Sequence, residues 1–253
     1  MSELNALIFD VDGTLADTER DGHRVAFNRA FADANLDWHW DVETYGRMLQ
    51  VTGGKERIRH FIDSFLPVFD APVDLDGFIK NLHLSKTQHY VSLLQSGAIP
   101  LRPGVERLLK EARAAGLRLG IATTTTPENI TTLLSTTLGA GSTGWFDVIA
   151  AGDVVPNKKP APDIYHHALD SLGMSAAECL AFEDSENGLL SAKIAGLKTI
   201  VTVNGYTRND HFDGALIVLD QLGEPDSPFN IIDGSARGAR YVDLALIQTL
   251  FKS

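Results

Sequence analysis

The stretch Ala6-Leu7-Ile8-Phe9-Asp10-Val11-Asp12-Gly13-Thr14 joins a short apolar run to two carboxylates and a turn. Ala6–Phe9 has the length and composition of a buried strand. Asp10 and Asp12 are therefore delivered at a strand's C-terminal end, where open α/β sheets bind their ligands. At a separation of about 4 Å and an effective dielectric of about 20, two such carboxylates repel by about 4 kcal/mol. A cation is the simplest compensation, so the pair points to a metal site. Gly13-Thr14 lets the backbone turn sharply. Taken alone, the pattern is also compatible with an ordinary exit from a strand into a loop.

Working outward, short apolar runs recur at Leu117–Ala122, Val148–Ala150, Cys179–Phe182, Thr199–Val203 and Leu216–Leu219. Helical patterns alternate with them at Val105–Ala115, Pro127–Leu138, Asp163–Leu172 and Asn187–Ala195. Strand alternating with helix predicts right-handed crossovers and an α/β fold, a Rossmann-like parallel sheet with helices on both faces. Gly116, Gly173 and Gly196 fall where a helix should stop before a strand. From Glu19 to about Ser96 the periodicity is helical and no comparable strand run occurs. This block reads as a small inserted α-helical cap, residues 19–97, over a discontinuous core of residues 1–18 and 98–253. Gly223–Gly238, rich in Gly, Pro and Ser, reads as a loop before a final amphipathic helix, Tyr241–Phe251.

Composition narrows the function. The chain has 253 residues and a formal net charge of −11, which argues against a nucleic-acid surface. An anionic substrate would need local cations to overcome that field. The single cysteine, Cys179, excludes an internal disulfide framework and a Cys-based zinc site. It lies in an apolar run and reads as a buried structural residue. No apolar stretch reaches membrane-spanning length. The expectation is a cytoplasmic or otherwise reducing compartment, with a monomer as the default state.

The other strand ends also carry chemistry. The second strand runs into Thr123-Thr124-Thr125-Thr126 and Pro127, where hydroxyls and free N–H groups at a helix start can hold an anion. One of these threonines is equally suited to cap the helix. After the third strand comes Asn157-Lys158-Lys159-Pro160-Ala161-Pro162-Asp163. A lysine before proline sits on extended backbone, which fixes its ammonium group in space. The fourth strand ends in Glu183-Asp184-Ser185-Glu186, a second acidic pair. Four such coincidences at one sheet edge would be improbable if independent.

The set Asp10-Val11-Asp12-Gly13-Thr14, Thr123, Lys159-Pro160-Ala161-Pro162-Asp163 and Glu183-Asp184 resembles the four motifs of the haloacid dehalogenase-like hydrolases, from residue 6 to about residue 205. The helical insertion is similar to the cap of that superfamily's phosphoglucomutase-like branch. Phe9–Glu19, Thr52–Ile58 and Ala122–Thr126 look most like CbbY-type sugar bisphosphatases. That resemblance implies a phosphatase acting on a phosphorylated sugar, xylulose 1,5-bisphosphate, an inhibitor of the carbon-fixing carboxylase. A β-phosphoglucomutase-like mutase or another sugar monophosphatase of the superfamily shares the same core residues. A non-catalytic binding module would not be expected to keep all of Asp10, Asp12, Lys159 and Asp184.

The resemblance also implies roles. Asp10 would be the nucleophile that forms an aspartyl phosphate. Asp12 would protonate the departing oxygen and then take a proton from water. Mg²⁺, a hard cation suited to oxygen ligands, would be held by Asp10, the main-chain carbonyl of Asp12, and Asp184, with Glu183 orienting a metal-bound water. Thr123, Thr124 and Lys159 would stabilise the transferring phosphoryl group. In the cap, Gly53 and Gly54 permit close approach of a ligand, and Lys55 or Arg57 would hold a second phosphate. Glu19 and His23 resemble cap-hinge residues that contact sugar hydroxyls. Tyr45, Arg47 and Lys86 are further candidates, Trp38-His39-Trp40 reads as cap core, and His166 and His167 read as helix surface.

Overall fold

A computed structural model describes residues 3–66 and 68–252. Seven strands form one sheet in the order β3-β2-β1-β4-β5-β6-β7. They are β1 (Ala6–Phe9), β2 (Arg118–Ala122), β3 (Val148–Ala150), β4 (Cys179–Glu183), β5 (Lys198–Thr202), β6 (Ile217–Leu219) and β7 (Ile231–Gly234). The first six run parallel and β7 is antiparallel to β6. β1 lies between β2 and β4, so the chain leaves the sheet's centre in both directions and opens a crevice beyond the strand ends.

The apolar residues of β1 alternate between two layers. Leu7 and Phe9 join one core cluster, while Ala6 and Ile8 join another on the opposite face. Leu180 and Phe182 of β4 divide from Cys179 and Ala181 in the same way. This explains why the strands read as continuous apolar runs. Helices α5 (Val105–Ala114), α6 (Pro127–Leu138) and α9 (Leu244–Phe251) cover the first face, and α7 (Asp163–Leu172) covers the second. In α5 the buried residues Val105, Leu108, Leu109 and Ala112 have the spacing of one helical stripe. Each fully buried aliphatic or aromatic side chain contributes roughly 1.5–3 kcal/mol. Gly173, at φ 64°, closes α7 in the left-handed conformation. Helix α8 (Glu186–Ile194) starts directly after β4, capped by Ser185, whose side chain accepts from the Gly188 N–H.

Between β1 and α5 lie α1 (Arg24–Asp33), α2 (Val42–Met48), α3 (Gly54–Phe65) and α4 (Leu75–Gln95). They enclose a separate cluster that includes Phe27, Phe31, Trp38, Trp40 and Phe61. Tyr90 and Leu94, at the far end of α4, belong instead to the sheet-side core.

Two expectations need correction. Gly223–Gly238 is not a plain loop, because it contains β7. All four residues of β7 are exposed, so no burial pattern marks the strand, and only its ladder with β6 defines it. The final helix begins at Leu244 rather than Tyr241, because Asp243 caps it by accepting from the Leu246 N–H at 2.8 Å. Cys179 is buried and free. Among the described residues, no helix is long and apolar enough to cross a membrane.

Candidate active site

The centre of the site lies where β1 meets β4. The Asp10 N–H donates to the Phe182 carbonyl at 3.0 Å, extending the ladder by one residue past the stacked rings of Phe9 and Phe182. Glu183 ends β4 and Asp184 follows it. One carboxylate oxygen from each of Asp10, Glu183 and Asp184 lies within 4.8 Å of the others, and all three residues are buried. Lys159 reaches in from the loop after β3, on a cis Lys159–Pro160 peptide. Its ammonium donates to Asp10 Oδ1 at 2.7 Å, Glu183 Oε1 at 2.6 Å and the Ala122 carbonyl at 2.9 Å. All three of its donors are used. The Tyr165 hydroxyl of α7 donates to the same Glu183 oxygen.

Burial pushes the Asp10 carboxyl up to about 7. Lys159 opposes that rise, and Glu183 and Asp12 add to it. Burial, then Asp10 and Glu183, hold Asp184 well above the usual carboxylate range. For Lys159, burial works against the charge, but Asp10 and Glu183 outweigh it and raise its pKa. Three carboxylates facing one ammonium leave uncompensated negative charge. That donor set, all oxygen and rigidly held, fits a hard divalent cation such as Mg²⁺.

Asp12 is held on the other side, by the helical insertion. Its Oδ1 accepts from the Thr18 hydroxyl at 2.6 Å and from His23 Nε2 at 2.8 Å. Lys86 Nζ lies 2.7 Å from His23 Nδ1. An ammonium can only donate, so Nδ1 is the acceptor and the His23 proton sits on Nε2, facing Asp12. A π-helical turn, Glu19–His23, delivers the imidazole, which stacks on Tyr90 with a centroid distance of 4.0 Å. Burial alone would raise the Asp12 pKa. His23, Thr18 and Lys86 overcome that and hold it below the usual range. Burial lowers Lys86 to about 8 against the pull of Asp12 and Glu19.

Asp10 and Asp12 open into a cavity of about 710 Å³ between the sheet edge and the insertion, lined also by Glu19, Arg57, Thr123 and Thr124. Arg57 is buried and donates to the Tyr45 hydroxyl at 2.8 Å, and that hydroxyl donates to Glu19. A smaller cavity of about 40 Å³ lies behind Asp12, lined by Gly53, Gly54, His83, Lys86 and Arg57 among others. Burial, with Lys86 and Lys55, lowers His83 to about 3, so it is neutral there.

A haloacid dehalogenase-like hydrolase model matches residues 4–196. The chain belongs to this family. It is 48% identical to "Protein CbbY, plasmid" of Cupriavidus necator, across 97% of this chain and 96% of that protein. It is 51% identical to protein CbbY of Rhodobacter capsulatus, across 84% of this chain and 91% of that one. A crystal structure of a CbbY variant from Rhodobacter sphaeroides with xylulose 1,5-bisphosphate superimposes with a TM-score of 0.81 at 46% identity, covering 86% of this chain and 94% of that one. In this hydrolase, the core candidates Asp10, Asp12, Thr123, Thr124, Lys159, Glu183 and Asp184 line one cavity.

Some expected residues are placed differently. The Thr123 N–H is committed to the Ala150 carbonyl at 3.0 Å, so its hydroxyl, not its amide, is what it can offer a ligand. Thr126 precedes α6 without a side-chain cap bond. Lys55 lines neither cavity and pairs with Asp153, which also binds Lys158 at 2.7 Å. Both His23 nitrogens are engaged, by Asp12 and Lys86, rather than left free for a sugar hydroxyl. Arg47 lines the large cavity, Trp38 and Trp40 are core, His166 is exposed and His167 is half-buried. Sequence patterns alone do not single out Thr18, Tyr165 and Asn204, which also support the site. Asn204 donates to Asp184 Oδ2 at 2.6 Å. Its only sequence signal is a polar residue just beyond a buried strand.

Proposed function

We propose that this hydrolase removes phosphate from a small phosphorylated sugar, with Asp10 as nucleophile and Asp12 as acid and base. The observation that carries this reading is the different surroundings of two carboxylates on one loop. Asp10 Oδ1 accepts from Lys159 at 2.7 Å inside the acidic cluster with Glu183 and Asp184, while Asp12 Oδ1 faces away from it and accepts from Thr18 at 2.6 Å and His23 at 2.8 Å. A carboxylate beside a fixed ammonium suits attack on phosphorus, and one tethered to an imidazole and a hydroxyl suits proton transfer.

The Asp10 carboxylate attacks phosphorus, the bond to the sugar oxygen breaks, and that oxygen leaves with a proton from Asp12. Asp12 is ionised in the free site, so it must first be loaded with a proton. The negative charge of an arriving phosphate favours that loading. Water then attacks the aspartyl phosphate, gives its proton to Asp12, and releases inorganic phosphate and free Asp10. Lys159 stays against Asp10 and contributes its positive charge, while the Thr123 hydroxyl and Thr124 face the transferring oxygens. Asp10, Asp184 and the Asp12 carbonyl would hold Mg²⁺, with Glu183 beyond them; when bound it supplies charge neutralisation for the approach of anion to anion.

The substrate assigned is xylulose 1,5-bisphosphate. The similarity to a CbbY protein seen with that compound supports it. So does the smaller cavity, where Arg57 and Lys86 stand beside Asp12 and Glu19, and where Arg57 and the start of α3 at Gly53-Gly54 can receive the second phosphate. Lys55 would join them on leaving Asp153. Residues 19–97 then act as the cap that selects the sugar and 1–18 with 98–253 as the catalytic core. A phosphate-release screen over sugar mono- and bisphosphates, with and without Mg²⁺, tests the reading. The expected result is Mg²⁺-dependent release with a preference for the bisphosphate, abolished in Asp10→Asn. Retained turnover in that variant, or interconversion of sugar phosphates without phosphate release, would refute it.

A further inference from the structure

We propose that Arg102 is a positioning residue for Asp184, acting through Gly13 and Asn204 on either side of that carboxylate. The inference rests on the assignment of Asp184 as a metal ligand made above. Arg102 lies in the connection from α4 to α5. Its N–H donates to the Leu15 carbonyl at 2.9 Å, and the neighbouring Leu101 bridges to Ala16. The return path from the helical insertion is thus joined to the loop that carries Asp12.

The guanidinium spends its donors on main-chain carbonyls. Nη1 donates to Thr202 at 2.9 Å and to Gly13. Nη2 donates to Val203 at 2.6 Å and to Asp220 at 2.6 Å. Among the described residues, no carboxylate forms an ion pair with it. Three separate segments therefore meet on one side chain: the turn after Asp12, the end of β5 and the end of β6. A planar fork with five donors can bridge them, and the single nitrogen of a lysine cannot do so with the same geometry.

Two of those segments touch Asp184. Gly13 has φ 87°, and a Cβ built there would lie 2.2 Å from Asp184 Oδ2 and 2.7 Å from Asn204 Nδ2. The Gly13 backbone is thus one wall of the carboxylate. Asn204 is the other, donating to Asp184 Oδ2 at 2.6 Å. Asn204 directly follows Val203, whose carbonyl Arg102 holds, and its own Oδ1 accepts from the Tyr206 N–H at 2.8 Å. Releasing the guanidinium frees both walls together. Groups that orient a metal ligand from behind typically govern metal affinity by 10- to 100-fold.

The test is calorimetric titration of Mg²⁺ into the metal-free full-length protein, with kinetics as a second readout. Wild type should bind one ion, and Asp184→Asn should lose that binding. Arg102→Lys should remain folded by circular dichroism yet bind Mg²⁺ about 10- to 100-fold more weakly. Its KM for substrate at saturating Mg²⁺ should stay within about two-fold of wild type, and excess Mg²⁺ should restore kcat. A role confined to stability would lower the metal-free melting temperature and leave the Mg²⁺ Kd unchanged. If Arg102→Lys does not fold, Asn204→Ala removes one wall alone and should weaken Mg²⁺ binding in the same direction. An unchanged Mg²⁺ Kd in whichever folded variant is measured overturns the inference. Wild-type Mg²⁺ binding in Asp184→Asn would instead overturn the metal assignment on which it rests.

Discussion

Binding of Mg²⁺ to the metal-free protein should expel protons, and their number follows from the charges at the strand ends. Asp10, Glu183 and Asp184 face one another, and Lys159 supplies one positive charge to the first two. Full ionisation would leave two negative charges in a buried cluster. The metal-free site relieves this by retaining protons, on Asp10 up to about 7 and on Asp184 well above the usual carboxylate range. A divalent ion offers the same compensation, so it competes with those protons. At pH 6 a group with a pKa of about 7 is roughly nine-tenths protonated. Close to one proton should therefore leave Asp10 per ion bound at pH 6, and the upward shift of Asp184 adds to that release. Each displaced proton makes the Kd fall about ten-fold per pH unit. Calorimetry in buffers of different ionisation enthalpy measures this number directly. The matching stability effect has a definite sign. Asp10 has a raised folded pKa, so its contribution is fully present below about 4 and is lost as pH rises through about 7. Urea midpoints in chelator should fall across that window, and Mg²⁺ should reverse the fall. Binding at pH 6 without proton release would refute the reasoning.

Lys86→Met should lower kcat for the sugar phosphate about 10- to 100-fold, because the charge-assisted bond that fixes the His23 tautomer is worth about 1.5–3 kcal/mol. The same variant should lose much less activity on p-nitrophenyl phosphate, whose leaving group needs no proton. Equal losses on both substrates would contradict the role of Asp12. Tyr165→Phe removes one of the two donors to Glu183 and should cost about 1–3 kcal/mol in urea denaturation at pH 8, where an unchanged midpoint would count against it. Asp153→Ala should alter stability by less than about 1 kcal/mol, since its pair with Lys55 is exposed. By freeing Lys55 it should lower KM for a bisphosphate and leave KM for a monophosphate unchanged; equal KM values for the bisphosphate before and after would reject a phosphate role for Lys55.

Much of this architecture is legible in the chain because parallel strands are buried on both faces. β1, β2, β4 and β5 each present a continuous apolar run, and the chemistry hangs from their ends. β7 escapes because an exposed edge strand carries no such pattern. The residues that support the site are harder to find, since they reach it only through tertiary packing. Tyr165 lies within the apolar stripe of α7 and reads as one more core aromatic. Asn204 and Arg102 sit in loops with ordinary turn composition. Lys86 did leave a trace: it falls on the buried stripe of α4 with Ile79, Leu82, Tyr90 and Leu94, where a lysine without a polar partner would be costly.

The two carboxylates of the first loop answer to different parts of the molecule, and this ties substrate selection to proton transfer. Asp10 is fixed from the sheet side, by Lys159 and by the ladder to β4. Asp12, two residues on, takes its orienting bonds from Thr18 and His23, and His23 is set in turn by Lys86 of α4. Glu19, Tyr45 and Arg57, which line or support the large cavity, belong to the same helical layer. Movement of that layer away from the sheet would leave Asp10 and its lysine intact while stripping Asp12 of its imidazole. A phosphate dianion reaching Asp10 in that state would lack a positioned proton donor, and its sugar oxygen would leave slowly. Closure on a ligand that satisfies Glu19 and Arg57 would restore the donor. Binding energy from the sugar and the second phosphate would thereby be spent where the barrier lies, which is how a polar cavity can discriminate among phosphate esters that share the same reacting group.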